Sequence, residues 1–372
     1  MTLPSTELIK FDYVFKDSRL EQIAEAVFSG RRLTPEEGVT LLETEDLEGL
    51  QQLANWKRQQ VCGDTVYYAT TFYIHPTNLC ELSCPLCSFY SKPGWKTAWF
   101  LKPEEAIEKI SQHLDHGLTE IHVVGGLWRD CNLDYYCELF QGIHALDSNL
   151  HIKALTPVEY EFLADLHNIP VEEVFSQMMS WGLGSLPGGG AEILVESIRK
   201  VIAPEKISSE RYLEIHKIAH QLGLPSNVTM LFGHIEENTD IVTHLCKVRE
   251  VQDETGGFKT FVPLKFHIEN NALGKRKKRI QPKDPRRVFA VSRLMLDNVR
   301  NLKVLWNYLG VELACELLDW GGNDLSSTNI EEKIIVMAGG LRSEMRAPDM
   351  ERLIAGKGRT PMKIHSGTHH NH

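Results

Sequence analysis

The sequence lacks several features that would place the chain in other classes of protein. No apolar run approaches the ~18 residues of a membrane-spanning helix, so we expect no membrane span. The first residues lack the basic start, apolar run and cleavage site of a signal peptide, which makes a cytoplasmic location the default expectation. Basic residues are also in deficit, because 40 Lys and Arg against 50 Asp and Glu leave a net charge of −10. This balance argues against a nucleic-acid partner, which requires a basic face.

Cysteine is too sparse for a disulfide-stabilised protein. The chain has 8 cysteines in 372 residues, and cytosolic thiols stay reduced. Five of the cysteines are scattered, whereas Cys80, Cys84 and Cys87 fall within eight residues. This clustering indicates a specific chemical role for the three.

Alternating strand and helix patterns predict the fold class. From residue 66 onward, short β-rich runs alternate with amphipathic runs of about 10–15 residues, which is typical of βαβ units and a parallel sheet. Eight such repeats favour an α/β fold, a closed (β/α)8 TIM-type barrel. The predicted strands are 66–74, 120–124, 151–155, 184–186, 226–232, 258–264, 304–308 and 317–320.

The segment that precedes the first predicted strand has a different pattern. It is helical throughout, and Thr34 followed by Pro35 predicts a helix start with Thr34 as the N-cap. We therefore expect an N-terminal helical extension over residues 1–65, the barrel over 66–340 and a C-terminal tail over 341–372.

The clustered cysteines have the spacing CxxxCxxC and follow the first predicted strand directly. Thiolates are soft ligands that hold iron–sulfur clusters or zinc. A 4Fe–4S cluster normally takes four cysteines. Because no fourth lies nearby, one iron would be left open to a non-protein ligand. The alternative is a zinc site of three cysteines completed by His75.

Glycine-rich and polar residues follow other predicted strands at the same phase of the repeat. Gly125 and Gly126 follow the second strand, the run PGGGAE ending at Glu192 follows the fourth, and His234 follows the fifth. Barrel enzymes build their sites from the loops at the carboxyl ends of the strands. The sequence therefore predicts an active site at this end.

Two other polar features are predicted to lie on the protein surface. The run 275–279 (KRKKR) is the only basic run, and we interpret it as a solvated loop, with attraction of an anionic partner or substrate as the alternative. His216 and His220 lie four apart on a predicted helix without an HExxH pattern, so we expect them on the helix surface.

The cysteine motif, together with the glycine pair after the second strand, resembles the radical S-adenosylmethionine (SAM) superfamily. The resemblance implies that the three clustered cysteines bind a 4Fe–4S cluster, whose open iron chelates the amino and carboxylate groups of SAM. It also implies that the backbone at Gly125 and Gly126 receives the methionine amino group, and that a reducing electron donor is needed. Leu86 takes the place of the aromatic residue that the family positions near the adenine.

Longer stretches narrow this resemblance. The runs 152–156, 185–192, 230–234 and 252–258 are similar to the group that contains the menaquinone futalosine-pathway enzymes and the deazaflavin-forming synthases. Within the group, 122–127, 216–220, 291–298 and 331–334 are most similar to the aminodeoxyfutalosine synthases. Trp128 replaces a histidine that is usual in the group, and Val124 replaces a glutamine that is typical of the sister cyclase.

The resemblance implies a transferase of menaquinone biosynthesis. It would add the 5′-deoxyadenosyl radical to 3-[(1-carboxyvinyl)oxy]benzoate and form 6-amino-6-deoxyfutalosine. The alternatives are the dehypoxanthine futalosine cyclase of the same pathway and, from a different class, a non-catalytic iron–sulfur or zinc-binding protein.

The implied substrate is a small dicarboxylate, which requires cationic or N–H donors. Lys153 and Arg293 are the predicted carboxylate-binding residues, and His234 is a predicted proton-transfer or carboxylate-binding group. A salt bridge on a helix face is the alternative role for Arg293. Glu192 is predicted to accept hydrogen bonds from the ribose hydroxyls, with stabilisation of a helix N-terminus as its alternative.

Overall fold

Parallel strands occupy eight positions around the wall of a closed barrel, and helices cover the outside of this barrel. The structure is a computed structural model, in which residues 11–340 and 344–367 are described. The strands of these residues are β1 Thr65–Ala69, β2 Thr71–Ile74, β3 Glu120–Val123, β4 His151–Ala154, β5 Leu183–Ser185, β6 Ser226–Phe232, β7 Phe258–Lys265, β8 Asn301–Leu302, β9 Asp324–Ser327 and β10 Thr360–Lys363.

Closure of the barrel follows from the pairing of neighbouring strands. β2 to β5 pair in chain order, β6 to β8 do the same, and β9 pairs with β1. Isolated parallel bridges join these three groups, namely Leu186 with Ser226, Lys303 with Asp324, and Phe72 with Ile330. Because β1 and β2 together occupy the first wall position, the wall returns to its start after eight positions. The predicted TIM-type α/β barrel is confirmed.

The last two predicted strands are wrong in position. The run 304–308 contains the start of a helix, Trp306–Leu309, and 317–320 follows the helix Val311–Leu317 into a turn. The wall strands at these positions are β8, which has two residues, and β9, which is the polar run DLSS. Neither is rich in the β-branched or aromatic residues that mark strands in a sequence.

Helices precede the first strand and connect the later ones. They are α1 Arg19–Phe28, α2 Pro35–Glu43, α3 Leu47–Cys62, α4 Pro103–Ser111, α5 Leu133–Leu146, α6 Pro157–His167, α7 Val171–Ser180, α8 Glu196–Ile202, α9 Ser209–Gln221, α10 Asn238–Thr255, α11 Pro285–Met295, α12 Trp306–Leu309, α13 Val311–Leu317, α14 Ile334–Met337 and α15 Ala347–Gly356. The predicted start of α2 is confirmed, since Thr34 and Glu37 form a reciprocal capping box that satisfies otherwise unpaired N–H groups.

The helices α1 to α3 pack against the outside of the barrel at α10 and α11. Gly38 of α2 approaches α11 so closely that a Cβ atom there would lie 2.9 Å from the Met295 sulfur. The Arg249 guanidinium of α10 donates to the Leu33 carbonyl oxygen at 3.0 Å. The N-terminal helices therefore share one hydrophobic core with this side of the barrel.

The C-terminal segment covers the amino ends of the wall strands. β10 pairs in parallel with β1, and beyond it the Ser366 N–H donates to Glu120 Oε2 at 2.8 Å. Gly367 lies against the His151 ring, where a Cβ atom would come within 2.4 Å. Residues 341–343 and 368–372 of the predicted tail lie outside the described residues.

Candidate active site at the carboxyl ends of the strands

A cavity of about 340 Å³ opens at the carboxyl ends of the wall strands. The loops that follow β2, β3, β4 and β5 contribute side chains to it, as do β6, β7 and the segments after β8. The predicted site residues that line it are Cys80, Cys84, Leu86, Cys87, Gly125, Gly126, Lys153 and Glu192. The fold therefore brings eight of the ten predicted site residues to one place.

The cysteine loop is held in a fixed conformation by hydrogen bonds to its backbone and sulfur atoms. The Lys92 ammonium donates to the carbonyl oxygens of residues 80, 81 and 82 at 2.8–3.1 Å. The Leu127 N–H points at the Cys80 sulfur, and the Phe89 N–H at the Cys87 sulfur, each at 3.4 Å. N–H groups directed at sulfur stabilise thiolates that ligate iron.

Two thiols of this loop, Cys84 and Cys87, are held in the protonated form when no metal is bound. Burial raises the pKa of Cys84 to about 11 and also raises that of Cys87. Metal binding would therefore release protons from the loop.

Gly126 supports the loop through its lack of a side chain. A Cβ atom at Gly126 would lie 2.1 Å from the Leu79 carbonyl oxygen and 3.1 Å from the Cys80 Cβ. Its N–H donates to the Thr77 carbonyl oxygen at 2.8 Å. The glycine pair thus lets the loop after β3 lie directly on the backbone of the cysteine loop.

Glu159 is a cavity residue that the sequence analysis did not identify. Its carboxylate accepts from the Gly125 N–H at 3.0 Å and from the Thr156 N–H at 2.7 Å. Burial raises the pKa of Glu159 to about 7. The run TPVE at the start of α6 is a capping-box signal, but the contact with Gly125 depends on the fold.

Glu192 lies beside Lys206, a second cavity residue that the sequence analysis missed. Glu192 Oε1 accepts from the Lys206 ammonium at 2.5 Å. Burial favours the neutral forms of both groups, but their mutual attraction lowers the pKa of Glu192 and raises that of Lys206, which Cys84 and Cys87 raise further. Glu192 also has a φ of 51°, a left-handed conformation that costs a non-glycine residue about 1–3 kcal/mol and is frequent at functional sites.

Two further ion pairs lie in the barrel interior, and Glu120, Lys153 and Lys303 of these pairs line the cavity. Lys153 lies 2.5 Å from Glu120, and Lys303 lies 3.2 Å from Asp324. Burial lowers the pKa of Lys153, whereas the pKa of Glu120 lies well below its ordinary value because the nearby lysines outweigh the effect of burial. The interior of the barrel is therefore charged but internally compensated.

Lys265, at the end of β7, differs from the other cavity lysines. It is exposed, and it forms no ion pair within residues 11–340 and 344–367. Its position at the carboxyl end of a strand is the only sequence signal that could have identified it.

His234 and Arg293 do not line the cavity, so the structure corrects their predicted placement. The His234 ring is turned back onto its own loop, with Nε2 at 3.0 Å from the Leu231 carbonyl oxygen and Nδ1 at 3.0 Å from the Glu236 carboxylate. Arg293 lies at the amino ends of β8 and β9, where its guanidinium donates to Gly321 O and Asn323 Oδ1 at 2.8 Å. Neither placement supports the predicted contact with substrate.

The contacts of His75 do not support the zinc alternative. Its Nδ1 lies 2.9 Å from the Val124 carbonyl oxygen, and its Nε2 accepts from the Lys333 N–H at 3.3 Å. Among the described residues, no three His, Cys, Asp or Glu side chains converge on a position for a single metal ion. A cluster differs in this respect, because each thiolate ligates its own iron.

Comparison with protein families identifies the class. Residues 74–247 match the family model of the radical SAM superfamily, and residues 255–365 match the CofH/MqnC C-terminal region. The chain belongs to the radical SAM superfamily and is an enzyme of that type. Its cofactors are accordingly a 4Fe–4S cluster and SAM, and the three thiols, with their N–H donors and the side-chain-free Gly126, fit such a cluster.

Curated relatives define the group within this superfamily. The chain is 38% identical to an aminodeoxyfutalosine synthase of Thermus thermophilus, over 94% of this chain and 95% of the relative. It is 34% identical to a 5-amino-6-(D-ribitylamino)uracil–L-tyrosine 4-hydroxyphenyl transferase of Archaeoglobus fulgidus, over 83% and 90%. It is also 34% identical to a cyclic dehypoxanthine futalosine synthase of Halalkalibacterium halodurans, over 92% of each chain.

A solved structure shows the same fold. The crystal structure of methylornithine synthase superposes with a TM-score of 0.69 at 17% identity, covering 91% of this chain and 97% of that one. Within the part of the chain that the structure describes, no helix is long and apolar enough to span a membrane.

Proposed function

We propose that this enzyme is an aminodeoxyfutalosine synthase, which transfers the 5′-deoxyadenosyl group of SAM to 3-[(1-carboxyvinyl)oxy]benzoate. The observation that carries the proposal is the identity of 38% to the Thermus thermophilus synthase over nearly the whole of both chains. A charged cavity beside three thiols supports it, because the reaction joins SAM to a dicarboxylate.

Cys80, Cys84 and Cys87 are the proposed ligands of the cluster. When bound and reduced, the cluster and SAM supply the 5′-deoxyadenosyl radical. The backbone at Gly125 and Gly126 lies against the cysteine loop, in the position proposed for the methionine end of SAM. The apolar side chain of Leu86 lines the same cavity and is proposed to contact the adenine.

The cavity lysines are the proposed partners of the carboxylates. The ammonium groups of Lys153 and Lys206 already face the carboxylates of Glu120 and Glu192. Lys265 has no such partner among the described residues, so an incoming carboxylate meets an uncompensated charge there. We therefore propose Lys265 as a substrate-binding residue, in addition to the predicted Lys153.

Anaerobic reconstitution with iron and sulfide, followed by SAM and dithionite, tests the proposal. We expect 5′-deoxyadenosine without substrate, and 6-amino-6-deoxyfutalosine with 3-[(1-carboxyvinyl)oxy]benzoate. Replacing any one of the three clustered cysteines with alanine is expected to abolish both products and the bound iron. The scattered Cys137 provides a matched control, since Cys137→Ala is expected to retain iron and activity.

A panel of substrates separates this activity from those of the relatives. Turnover of dehypoxanthine futalosine alone would overturn the proposal in favour of the cyclase, and condensation of L-tyrosine with 5-amino-6-(D-ribitylamino)uracil would favour the third activity. Failure to form 5′-deoxyadenosine in any mixture would contradict radical chemistry. For Lys265, we expect Lys265→Met to raise KM for the benzoate at least about tenfold, with rescue by Lys265→Arg.

A further inference from the structure

The basic run 275–279 lies next to the cysteine loop. The Leu273 N–H donates to the Pro85 carbonyl oxygen at 2.8 Å, and Pro85 lies between the second and third clustered cysteines. The Ser88 hydroxyl donates to the Glu269 carbonyl oxygen at 2.9 Å. Because successive Cα atoms are ~3.8 Å apart, the run begins at most ~7.6 Å of chain beyond Leu273.

The basic side chains are exposed and uncompensated. Lys275, Arg276, Lys278 and Arg279 are all exposed, and none of them forms an ion pair with a residue that the structure describes. None of them lines the cavity, so they do not contact a substrate bound there. A concentrated positive patch thus stands out on a chain of net charge −10.

The patch is presented on a hydrogen-bonded turn. The buried Asn271 side chain accepts from the Gly274 N–H at 2.7 Å and donates to the His267 carbonyl oxygen at 2.9 Å. The N–H groups of Arg276 and Arg279 each donate three residues back at 2.9 Å, to Leu273 and Arg276 respectively. The backbone that carries the charges is therefore held in place relative to the cysteine loop.

We propose that Lys275, Arg276, Lys278 and Arg279 form a docking surface for an acidic one-electron carrier protein that reduces the cluster. The proposal rests on the proposed cluster-binding role of the cysteines. One electron leaves the reduced carrier and enters the oxidised cluster; no bond forms or breaks, and the carrier departs oxidised by one electron. Complementary charge accelerates and orients such an encounter, and the position of the patch brings the carrier to the side of the cysteine loop.

The variant Lys275→Glu/Lys278→Glu tests the proposal by direct binding. The probes are an acidic flavodoxin and an acidic ferredoxin, titrated calorimetrically into the reconstituted enzyme at low and at physiological salt. We expect the dissociation constant of at least one probe to rise about tenfold or more, with a weaker salt dependence. Formation of 5′-deoxyadenosine should fall with that reduced carrier and remain unchanged with dithionite.

A matched variant carries the same change in charge at the amino side of the barrel. Arg352 and Lys363 are exposed and lie on α15 and β10, which pack against β1. Arg352→Glu/Lys363→Glu is expected to bind both probes as the unmodified enzyme does. An equal loss in the two variants would show that only net charge matters and would overturn the proposal.

Three further outcomes would overturn the proposed docking surface. Absence of binding of either probe to the unmodified enzyme, or unchanged binding to the 275/278 variant, overturns the docking surface. So does selective loss of binding to duplex DNA or to phosphatidylserine vesicles, which would assign the patch to another anionic partner. If dithionite yields no 5′-deoxyadenosine with the unmodified enzyme, the proposed function fails, whereas the docking surface is judged by the binding data alone.

Discussion

At the scale of single residues, Gly126 is the position with the least room for change. We expect Gly126→Ala to lower bound iron after reconstitution to a small fraction of the unmodified level, because the new methyl group would meet the Leu79 carbonyl oxygen at 2.1 Å. Displacing that backbone moves Cys80, whose Cβ is also within 3.1 Å. Iron and sulfide analysis of the purified protein is the measurement.

Gly356 provides the control for this change. It is the last residue of α15, and no atom lies within 4 Å of a Cβ atom built there. Gly356→Ala should leave the iron content unchanged and slightly raise stability. Normal iron content in Gly126→Ala would show that the close packing does not support the cluster.

The residues found from sequence differ in kind from those found only in the structure. The cysteines, Gly125 and Gly126 belong to short motifs in fixed positions after strands, so local spacing identifies them. Lys206 and Glu159 act through partners that the fold brings close. No local pattern marks Lys206, and the capping-box pattern at Glu159 does not reveal its contact with Gly125. Arg293 lies at the amino ends of β8 and β9 and not at the cavity. A charged residue in a helical run does not reveal to which end of the barrel the helix brings it.

At the scale of elements, Arg293 joins α11 to the amino ends of β8 and β9. Its guanidinium donates to the carbonyl oxygens of Gly321 and Arg300 and to Asn323 Oδ1, all within 2.9 Å. We expect Arg293→Met to destabilise the fold by about 3 kcal/mol, because it leaves buried acceptors without a donor. Urea unfolding followed by circular dichroism measures this loss.

The kinetics of the same variant separate the structural role from the catalytic one. If Arg293 acts only between elements, the folded fraction of Arg293→Met should show the KM of the unmodified enzyme for the benzoate. A large rise in KM at unchanged stability would restore the predicted role in substrate binding.

The wall strands differ in how far their own residues specify them. β6 and β7 are long and rich in apolar residues, and their bounds follow from the sequence almost to the residue. β8 and β9 are short or polar, and they are strands because their neighbours in the wall supply hydrogen-bond partners. Such strands are specified by the closed barrel and not by their own residues.

At the scale of the whole molecule, buried histidines make stability depend on pH. Burial lowers the pKa of seven histidines. It is lowered to about 4 for His75, His151 and His220, to about 3 for His244, well below the ordinary value for His122 and His216, and below that value for the half-buried His267. In the opposite direction, burial raises the pKa of Glu159 and Glu332 to about 7, and it also raises the pKa of Asp324.

The sign of the net effect follows from proton uptake. Histidines in the unfolded chain titrate near pH 6.5. As pH falls from about 6.5 to 4, the unfolded chain therefore binds protons that the folded chain does not bind, and the unfolded state is favoured. The three carboxyl groups with a raised pKa act in reverse, because their contribution to stability is lost as pH rises. For Glu159 and Glu332 this loss falls between about pH 4.5 and 7. Seven histidines outweigh three carboxyl groups, so we expect the free energy of unfolding to fall with pH below 6.5, by about 1.4 kcal/mol per pH unit for each uncompensated proton.

His216 offers a variant that isolates this effect. It is fully buried, contrary to the expectation of a surface position, and neither ring nitrogen has a hydrogen-bond partner among the described residues. His216→Phe keeps an aromatic ring beside Tyr212 and Phe258. Its urea midpoint should therefore fall less than that of the unmodified apo-protein between pH 7 and 5; a parallel fall in both would contradict the assignment.

The contact between Ser366 and Glu120 also bears on how the chain folds during synthesis. The two residues are 246 positions apart, so Glu120, at the amino end of β3, is covered by a residue that leaves the ribosome after every wall strand. Once β9 has left the ribosome, the nascent chain contains the strands for all eight wall positions. Glu120 and Lys153 are then still exposed to water from the amino side of the barrel. We expect this intermediate to persist until β10 adds beside β1, since pairing between distant parts of a chain is slow.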